Sequence, residues 1–194
     1  MRRFYKVILQ LTIAAVASAG IMGQFKYPTA HAVEFSDGST AFVTPPQFVE
    51  ASSTSAEPGQ RNSTQFFTID LAETADEPLY RVDIIPQNLV SYIRPYRLQE
   101  TQAFEGSRFN RGDELPLGEV TEEADTKTVS VIFDPPVEPG RRITVALRPQ
   151  HTPRLSGIYI FRIVTFPPGE RPRSHIAGHA RINIDDRDDF DIFR

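Results

Sequence analysis

Two histidines four positions apart, His175 and His179, are the first residues in the sequence whose type and spacing suggest chemistry. Imidazoles are common metal ligands, with nitrogen–metal distances of about 2 Å. If the segment RPRSHIAGHARINI (171–184) is a β-strand, the two positions lie about 13 Å apart along it. We therefore expect the pair not to share one ion unless the backbone bends sharply at Gly178.

Two arginines, Arg173 and Arg181, occupy the same alternating positions of this segment as the histidines. Alternation places these four side chains in solvent, opposite an apolar face that begins at Ile176 and ends at Ile184. The resulting cationic strip could bind an anionic ligand, and it would gain charge as the histidines protonate below about pH 6.5. It could equally be the solvated face of an ordinary strand.

A metal-handling function is the alternative use of the histidines. It would add His151 to His175 and His179, and it requires the three side chains to converge. The arginines beside the pair oppose this alternative because they would repel a cation. We predict no metal site and no cofactor.

The residues Tyr92, Arg94, Tyr96 and Arg97 form a second candidate site. Tyrosine rings and forked guanidinium groups supply contact area and hydrogen bonds in sugar or protein recognition. The alternative is structural, with Tyr92 and Tyr96 closing one end of the fold. Tryptophan, the usual platform for a sugar ring, is absent from the chain.

Recognisable catalytic motifs are absent from the sequence. It contains no G-x-S-x-G, no H-E-x-x-H and no phosphate-binding loop. The lack of cysteine excludes thiol catalysis and disulfides. We therefore predict a protein that is not an enzyme, and keep a hydrolase with an unrecognised site as an alternative.

The elements that must position these residues are short β-strands. Apolar residues alternate with polar ones in LYRVDIIP (79–86), TVSVIFD (128–134) and RITVALR (142–148). The segment GIYIFRIVTF (157–166) is apolar on both faces, which indicates a strand inside a sheet. Sixteen prolines disfavour long helices. About eight strands between turn residues predict an all-β fold, an antiparallel β-sandwich of immunoglobulin-like character, with a small closed barrel as the alternative.

The N-terminus has the composition of a secretory signal peptide. Basic residues precede the apolar segment VILQLTIAAVASAGIMG (7–23), and Ala30-His31-Ala32 fits a cleavage site. We expect a signal peptide over 1–32, one β-sandwich domain over 33–184 and an acidic, flexible tail over 185–194. A retained anchor is the alternative, although the segment is marginal for a span of ~20 apolar residues. Cleavage would leave no membrane span and a periplasmic or extracellular protein.

The expected mature chain is acidic. Without residues 1–32 it keeps 17 basic and 25 acidic residues, a formal charge of −8. Nucleic acids and anionic lipid surfaces bind clustered Lys and Arg, so neither is an expected partner. The expected partner is an unidentified protein or glycan of the cell envelope.

Several motifs resemble those of one known family. The most specific are FDPPVEPG (133–140) and FPPGE (166–170), preceded by AFEG (103–106). With these motifs the chain resembles a cyanobacterial family of exported proteins that share a domain without an assigned function. The resemblance implies a cyanobacterial origin and a location in the envelope. It implies no catalytic or binding residues.

Overall fold

Two five-stranded antiparallel sheets make up most of the fold in residues 38–185, the part of the chain that the computed structural model describes. The strands are β1 (Ser39–Thr40), β2 (Gln47–Ser53), β3 (Gln65–Leu71), β4 (Leu79–Pro86), β5 (Gln102–Ser107), β6 (Asn110–Leu115), β7 (Leu117–Glu122), β8 (Val129–Val137), β9 (Arg141–Leu147), β10 (Gly157–Phe166), β11 (Arg171–Pro172) and β12 (His175–Ile184). One sheet has the order β12-β10-β4-β8-β7 and the other β2-β3-β9-β5-β6, while β1 and β11 form a short parallel pair. Short 3₁₀ helices, Glu73–Ala75, Val90–Tyr92 and Leu98–Glu100, lie in the connections.

The core lies between the two sheets and is built from alternate residues of each strand. On the inner face of β3, Phe67 and Ile69 are fully buried, and Phe67 meets Phe161 of β10 edge to face, with ring centroids 5.6 Å apart. The bounds of β4 and β10 coincide with the segments predicted from their apolar patterns. The predicted fold class, an antiparallel β-sandwich of immunoglobulin-like character, is confirmed.

The two sheets contain ten strands, whereas the sequence predicts about eight strands in all. The strands that the sequence does not reveal are β5, β6 and β7. Strand β6 is a polar edge strand with five of its six residues exposed. In β5, Phe104 is buried on the outer face of its sheet, where a polar residue is expected. Both patterns differ from the alternation that marks a half-buried strand.

The hairpin formed by β5 and β6 folds back over the outer face of its sheet. Gly106 has a φ of +85°, and a Cβ atom there would clash with the Asn110 carbonyl oxygen, so this turn requires glycine. Next to the turn, the Thr144 hydroxyl of β9 donates a hydrogen bond to the Gly106 carbonyl (2.7 Å). At the hairpin tip, Arg108 Nη1 donates to the Ser53 carbonyl of β2 (2.9 Å). The hairpin therefore reaches across the sheet towards β2.

A β-bulge in β12 changes which of its residues face the core. Gly178 and Ile176 pair with consecutive residues of β10, so Ala177 is inserted as an extra residue. Ala177 is buried, whereas Ile176 is 51% exposed. A bulge of this kind breaks the alternation of the two faces. The predicted inner face is therefore correct from Gly178 to Ile184 and wrong at Ile176.

Two of the expected segments lie outside the described residues, namely the signal peptide over 1–32 and the acidic tail beyond Asp185. Within residues 38–185, no helix has the length and apolar character needed to cross a membrane.

Candidate functional site

The connections at one end of the sandwich are joined by backbone hydrogen bonds. The segment between β4 and β5 pairs with the segment after β9 through a bridge between Tyr96 and Pro149. Beside this bridge, the Arg97 amide donates to the Arg148 carbonyl (2.8 Å). These contacts hold the short helix Leu98–Glu100 against the residues that follow β9.

The connection between β2 and β3 is fixed to the same end by Thr152. The Thr152 hydroxyl donates to the Glu57 carbonyl (2.6 Å) and accepts from the Gln60 amide (2.8 Å). The Thr152 amide donates in turn to the Gln60 carbonyl (2.8 Å). Because Thr152 is fully buried, this connection is anchored, and it places Arg61 beside His151.

The carboxylate of Glu100 is held by two arginines at this end. Arg148 Nη1 donates to Oε2 of Glu100 at 2.7 Å, and Arg97 Nη1 lies 3.7 Å from Oε1. The three side chains remain between 31% and 39% exposed. Pairs as exposed as these contribute only about 0–1 kcal/mol to stability, so their main effect is to position the guanidinium groups.

Two open depressions meet at Glu100, with volumes of about 490 and 450 Å³. The first lies on the outer face of the sheet and is lined by Thr64, Phe66, Gln99, Glu100, Gln102, Arg111, Ala146 and Arg148. The second lies among the connections and is lined by Arg61, Arg97, Gln99, Glu100, Gln150 and His151. The two share Gln99 and Glu100, and together they are called the Glu100 groove.

The Glu100 groove is positively charged. Its described lining contains four arginines and one carboxylate, a formal charge of +3 with His151 neutral. The whole chain has a formal charge of −4. A local excess of cations on an acidic protein attracts anionic groups to that place.

Aromatic rings from two strands support the first depression. The Arg111 guanidinium lies 4.4 Å above the ring centroid of Phe104, a cation–π contact, and its Nη2 donates to Oε1 of Gln102 (3.4 Å). Phe66 packs edge to face on Phe104, with centroids 6.5 Å apart. The Arg108 guanidinium lies 5.2 Å from the centroid of the half-buried Phe66 ring, so Phe66 offers a partly covered apolar surface next to amide and guanidinium donors.

The predicted aromatic and cationic cluster is divided by the fold. Tyr96 is buried, and its hydroxyl donates to Oε1 of Gln65 (2.8 Å), which is the structural alternative considered from the sequence. Tyr92 is 42% exposed, and Arg94 is half-buried. Of the four residues, Arg97 lines the Glu100 groove.

The predicted cationic strip does not form a single surface. His179 and Arg181 are exposed on the outer face of β12, and His179 lies opposite Arg162 of β10. His175, beyond the bulge, pairs with a fully buried residue of β10 and is half-buried on the inner side. Arg173 precedes the strand. The prediction that both histidines share one solvated face is wrong because the bulge shifts the alternation.

The three histidines of the metal-handling alternative do not converge. His151 lines the Glu100 groove, with its Nδ1 2.8 Å from the Thr152 carbonyl oxygen. His175 and His179 lie on opposite faces of β12. In the described part of the chain, no group of three or more His, Cys, Asp or Glu residues is placed to hold a metal ion.

Most of the Glu100 groove cannot be identified from the sequence. Its residues are spread from Arg61 to His151, and isolated arginines and glutamines in polar segments carry no periodic or motif signal. Two members do appear among the sequence candidates, Arg97 in the aromatic cluster and His151 in the metal-handling alternative. The sequence could not show that they meet.

Comparison with protein families finds a match to the model described as "Protein of unknown function (DUF2808)" over residues 39–184. No curated protein sequence matches the chain.

Three solved structures illustrate the distant likeness in fold. They are the C-terminal domain of the Streptococcus agalactiae AgI/II polypeptide BspA (9% identity, TM-score 0.43, 72% of this chain and 50% of that one), the bacterial hydrophobin BslA (14%, 0.41, 74% and 98%) and the collagen-binding domain of a Staphylococcus aureus adhesin (8%, 0.33, 61% and 84%). The chain spans about half the length of the streptococcal structures that it matches. At these identities and TM-scores the likeness concerns the fold alone.

Proposed function

The chain belongs to the DUF2808 family of proteins of unknown function, and we propose that it acts as an exported, non-enzymatic binding module of the cell envelope. The partner is a protein or glycan of the envelope that carries negative charge. It binds at the Glu100 groove.

The observation that carries this proposal is the convergence of three connections on Glu100. Residues that are remote in sequence, such as Arg61, Arg111 and Arg148, line the two adjoining depressions there. Hydrogen bonds between the connections hold this surface in place before any ligand arrives, which lowers the entropy lost on binding. Loops held at one end of a rigid scaffold are a common location for binding sites.

A hydrolase is less compatible with this groove. Hydrolysis of a glycosidic bond uses two carboxyl groups about 5–9 Å apart. Among the described residues that line the groove, Glu100 is the one carboxylate, and it is engaged by Arg148 and Arg97. A group held in this way serves to position arginines rather than to transfer protons.

Export and origin rest on the sequence. The signal peptide expected over 1–32 supports secretion into the periplasm or beyond, and the family resemblance supports a cyanobacterial source. Because the expected mature chain is acidic, it should not attract polyanions over its whole surface. An anionic partner would therefore bind at one localised basic surface.

Retention on envelope fragments tests the proposed function. The full chain is incubated with washed, sedimentable cell-wall material, and the bound fraction is measured for the wild type, Arg111→Gln and Arg181→Gln. Arg181 is the matched control because it is an exposed arginine on the opposite sheet.

We expect the wild type and Arg181→Gln to be retained equally, and Arg111→Gln to be retained several-fold less, with retention falling as salt is raised. Equal retention of Arg111→Gln and the wild type would refute binding at the Glu100 groove. Loss with Arg181→Gln alone would instead assign binding to the outer face of β12.

A further inference from the structure

We infer that the ligand of the Glu100 groove is a carboxylate-bearing polysaccharide, a glycan whose sugar units include uronic acids. This inference rests on the proposed function and names the ligand class for the same site.

The first depression has the chemistry of a sugar subsite. The half-buried ring of Phe66 offers an apolar surface to the C–H face of a sugar ring. The amides of Gln99 and Gln102 and the hydroxyl of Thr64 supply donors and acceptors for sugar hydroxyls. Apolar surface combined with a few convergent polar groups is typical of small-molecule sites.

The arginines add the capacity to bind carboxylates. A guanidinium group presents a planar fork of donors that matches a carboxylate, and such charge-assisted bonds are stronger than neutral ones. The groove already holds one carboxylate in this way, since Glu100 takes a 2.7 Å hydrogen bond from Arg148 and lies 3.7 Å from Arg97. Arg61 and Arg111, one in each depression, are exposed and extend the cationic surface on either side of Glu100.

The two depressions together favour a polymer over a single small anion. They adjoin each other, with Gln99 and Glu100 in both linings, so one chain of sugars can extend over both. Repeated weak contacts along a polymer raise affinity through effective concentration.

An acidic peptide fits the site less well. Extended peptides commonly bind by adding a strand to an open sheet edge. The floor of the first depression is formed by β3, β9 and β5, each of which is paired with a strand on both sides, and the edge strand β6 contributes Arg111. Strand addition is therefore unavailable over β3, β9 and β5, and side-chain contacts there would have to supply the affinity.

Titration calorimetry with three soluble polymers tests the ligand class on the full chain. The probes are polygalacturonate, neutral dextran and polyglutamate, each at low and at physiological salt. We expect polygalacturonate to bind, dextran to bind at least tenfold more weakly because it lacks charge, and polyglutamate to bind more weakly because it lacks sugar hydroxyls. Equal binding of dextran would refute carboxylate recognition, and equal or tighter binding of polyglutamate would refute sugar recognition.

Glu100→Gln is a substitution that we expect to increase the affinity for polygalacturonate rather than decrease it. It removes the internal carboxylate and frees two guanidinium groups, so we expect polygalacturonate to bind several-fold more tightly. Arg61→Gln should bind polygalacturonate about tenfold more weakly. Because this substitution leaves the ion pairs of Glu100 intact, the loss would come from Arg61 itself and not from a rearranged groove. Arg181→Gln should match the wild type. Weaker or unchanged binding by Glu100→Gln, or unchanged binding by Arg61→Gln, would overturn the inference.

The two proposals fail in different ways. If envelope retention depends on Arg111 but no variant binds polygalacturonate, the glycan assignment is wrong and the binding module stands. If neither envelope fragments nor polygalacturonate are bound, both are wrong.

Discussion

Replacing Tyr96 with phenylalanine removes one hydroxyl group from the buried part of the sandwich. In the wild type this hydroxyl donates a 2.8 Å hydrogen bond to Oε1 of Gln65, and both residues are almost completely buried. The substitution leaves the Gln65 oxygen without this partner. A buried polar atom that loses its partner costs about 1–3 kcal/mol. For a domain of this size, that loss lowers Tm by about 2–4 °C for each kcal/mol.

The same substitution changes how stability depends on pH. Burial, and secondarily the negative charge of Glu122, raise the pKa of Tyr96 above its ordinary value of 10.0. Because the folded-state pKa is raised, the stabilisation is complete below pH 10 and is lost as the pH rises towards the folded-state pKa. In that range the wild type loses up to about 1.4 kcal/mol per pH unit more than Tyr96→Phe does. The difference in stability between the two proteins should therefore shrink above pH 10.

Urea denaturation at pH 8, 10 and 11 measures both effects. We expect the midpoint of Tyr96→Phe to be clearly lower at pH 8 and to approach that of the wild type at pH 11. Gln65→Met in the Tyr96→Phe background removes both partners and should recover part of the loss, because the orphaned oxygen is gone. Polygalacturonate binding should be unchanged, since Tyr96 lies in the core rather than in the groove. A constant difference from pH 8 to 11, or a loss of binding without a loss of stability, would refute the structural role of Tyr96.

Three further substitutions probe the arrangement of the sheets. Gly106→Ala places a side chain at φ +85° against the Asn110 carbonyl, so we expect a loss of about 1–3 kcal/mol in urea denaturation and weaker polygalacturonate binding as the hairpin is displaced. Gly178→Ala brings a Cβ atom within 2.8 Å of the Phe48 Cβ, so we expect a loss of about 1–3 kcal/mol in urea denaturation. Burial raises the pKa of Asp83. The wild type should therefore lose stability relative to Asp83→Asn as the pH is raised from about 3 to 6, as urea denaturation can measure. A gain in relative stability over that range would contradict the raised pKa.

Strands that follow a simple pattern could be predicted from the sequence. In β4, inward residues such as Val82 and Ile84 alternate with partly exposed ones, so the period of two is visible. In β5, the outward residue Phe104 is buried because the β5–β6 hairpin covers it, and the pattern disappears. Phe104 is buried by a tertiary contact, and the periodicity of residues within β5 contains no information about that contact.

The bulge in β12 could not be predicted from the sequence for a related reason. Ala177 and Gly178 are both small, so the sequence does not show which of them continues the inner face. The register with β10 decides it, by pairing Ile176 with Val164 and leaving Ala177 unmatched. One inserted residue moved His175 to the other face, and the predicted strip of four cations was divided.

The location of the groove follows from how charge is distributed over the fold. Acidic residues outnumber basic ones in the chain, and the Glu100 groove is basic because the fold brings together arginines from separate segments. Glu100 makes such a concentration tolerable in the free protein, because its carboxylate offsets the repulsion between Arg97 and Arg148. The same carboxylate competes with any anionic ligand for those arginines. A protein selected only for stability would keep Glu100 and gain little from the exposed Arg61 near it, whereas a site for polyanions benefits from both. The effect of Glu100→Gln on polygalacturonate affinity separates these two cases. Competition between Glu100 and the ligand predicts tighter binding, whereas a purely structural role of Glu100 predicts no increase in affinity.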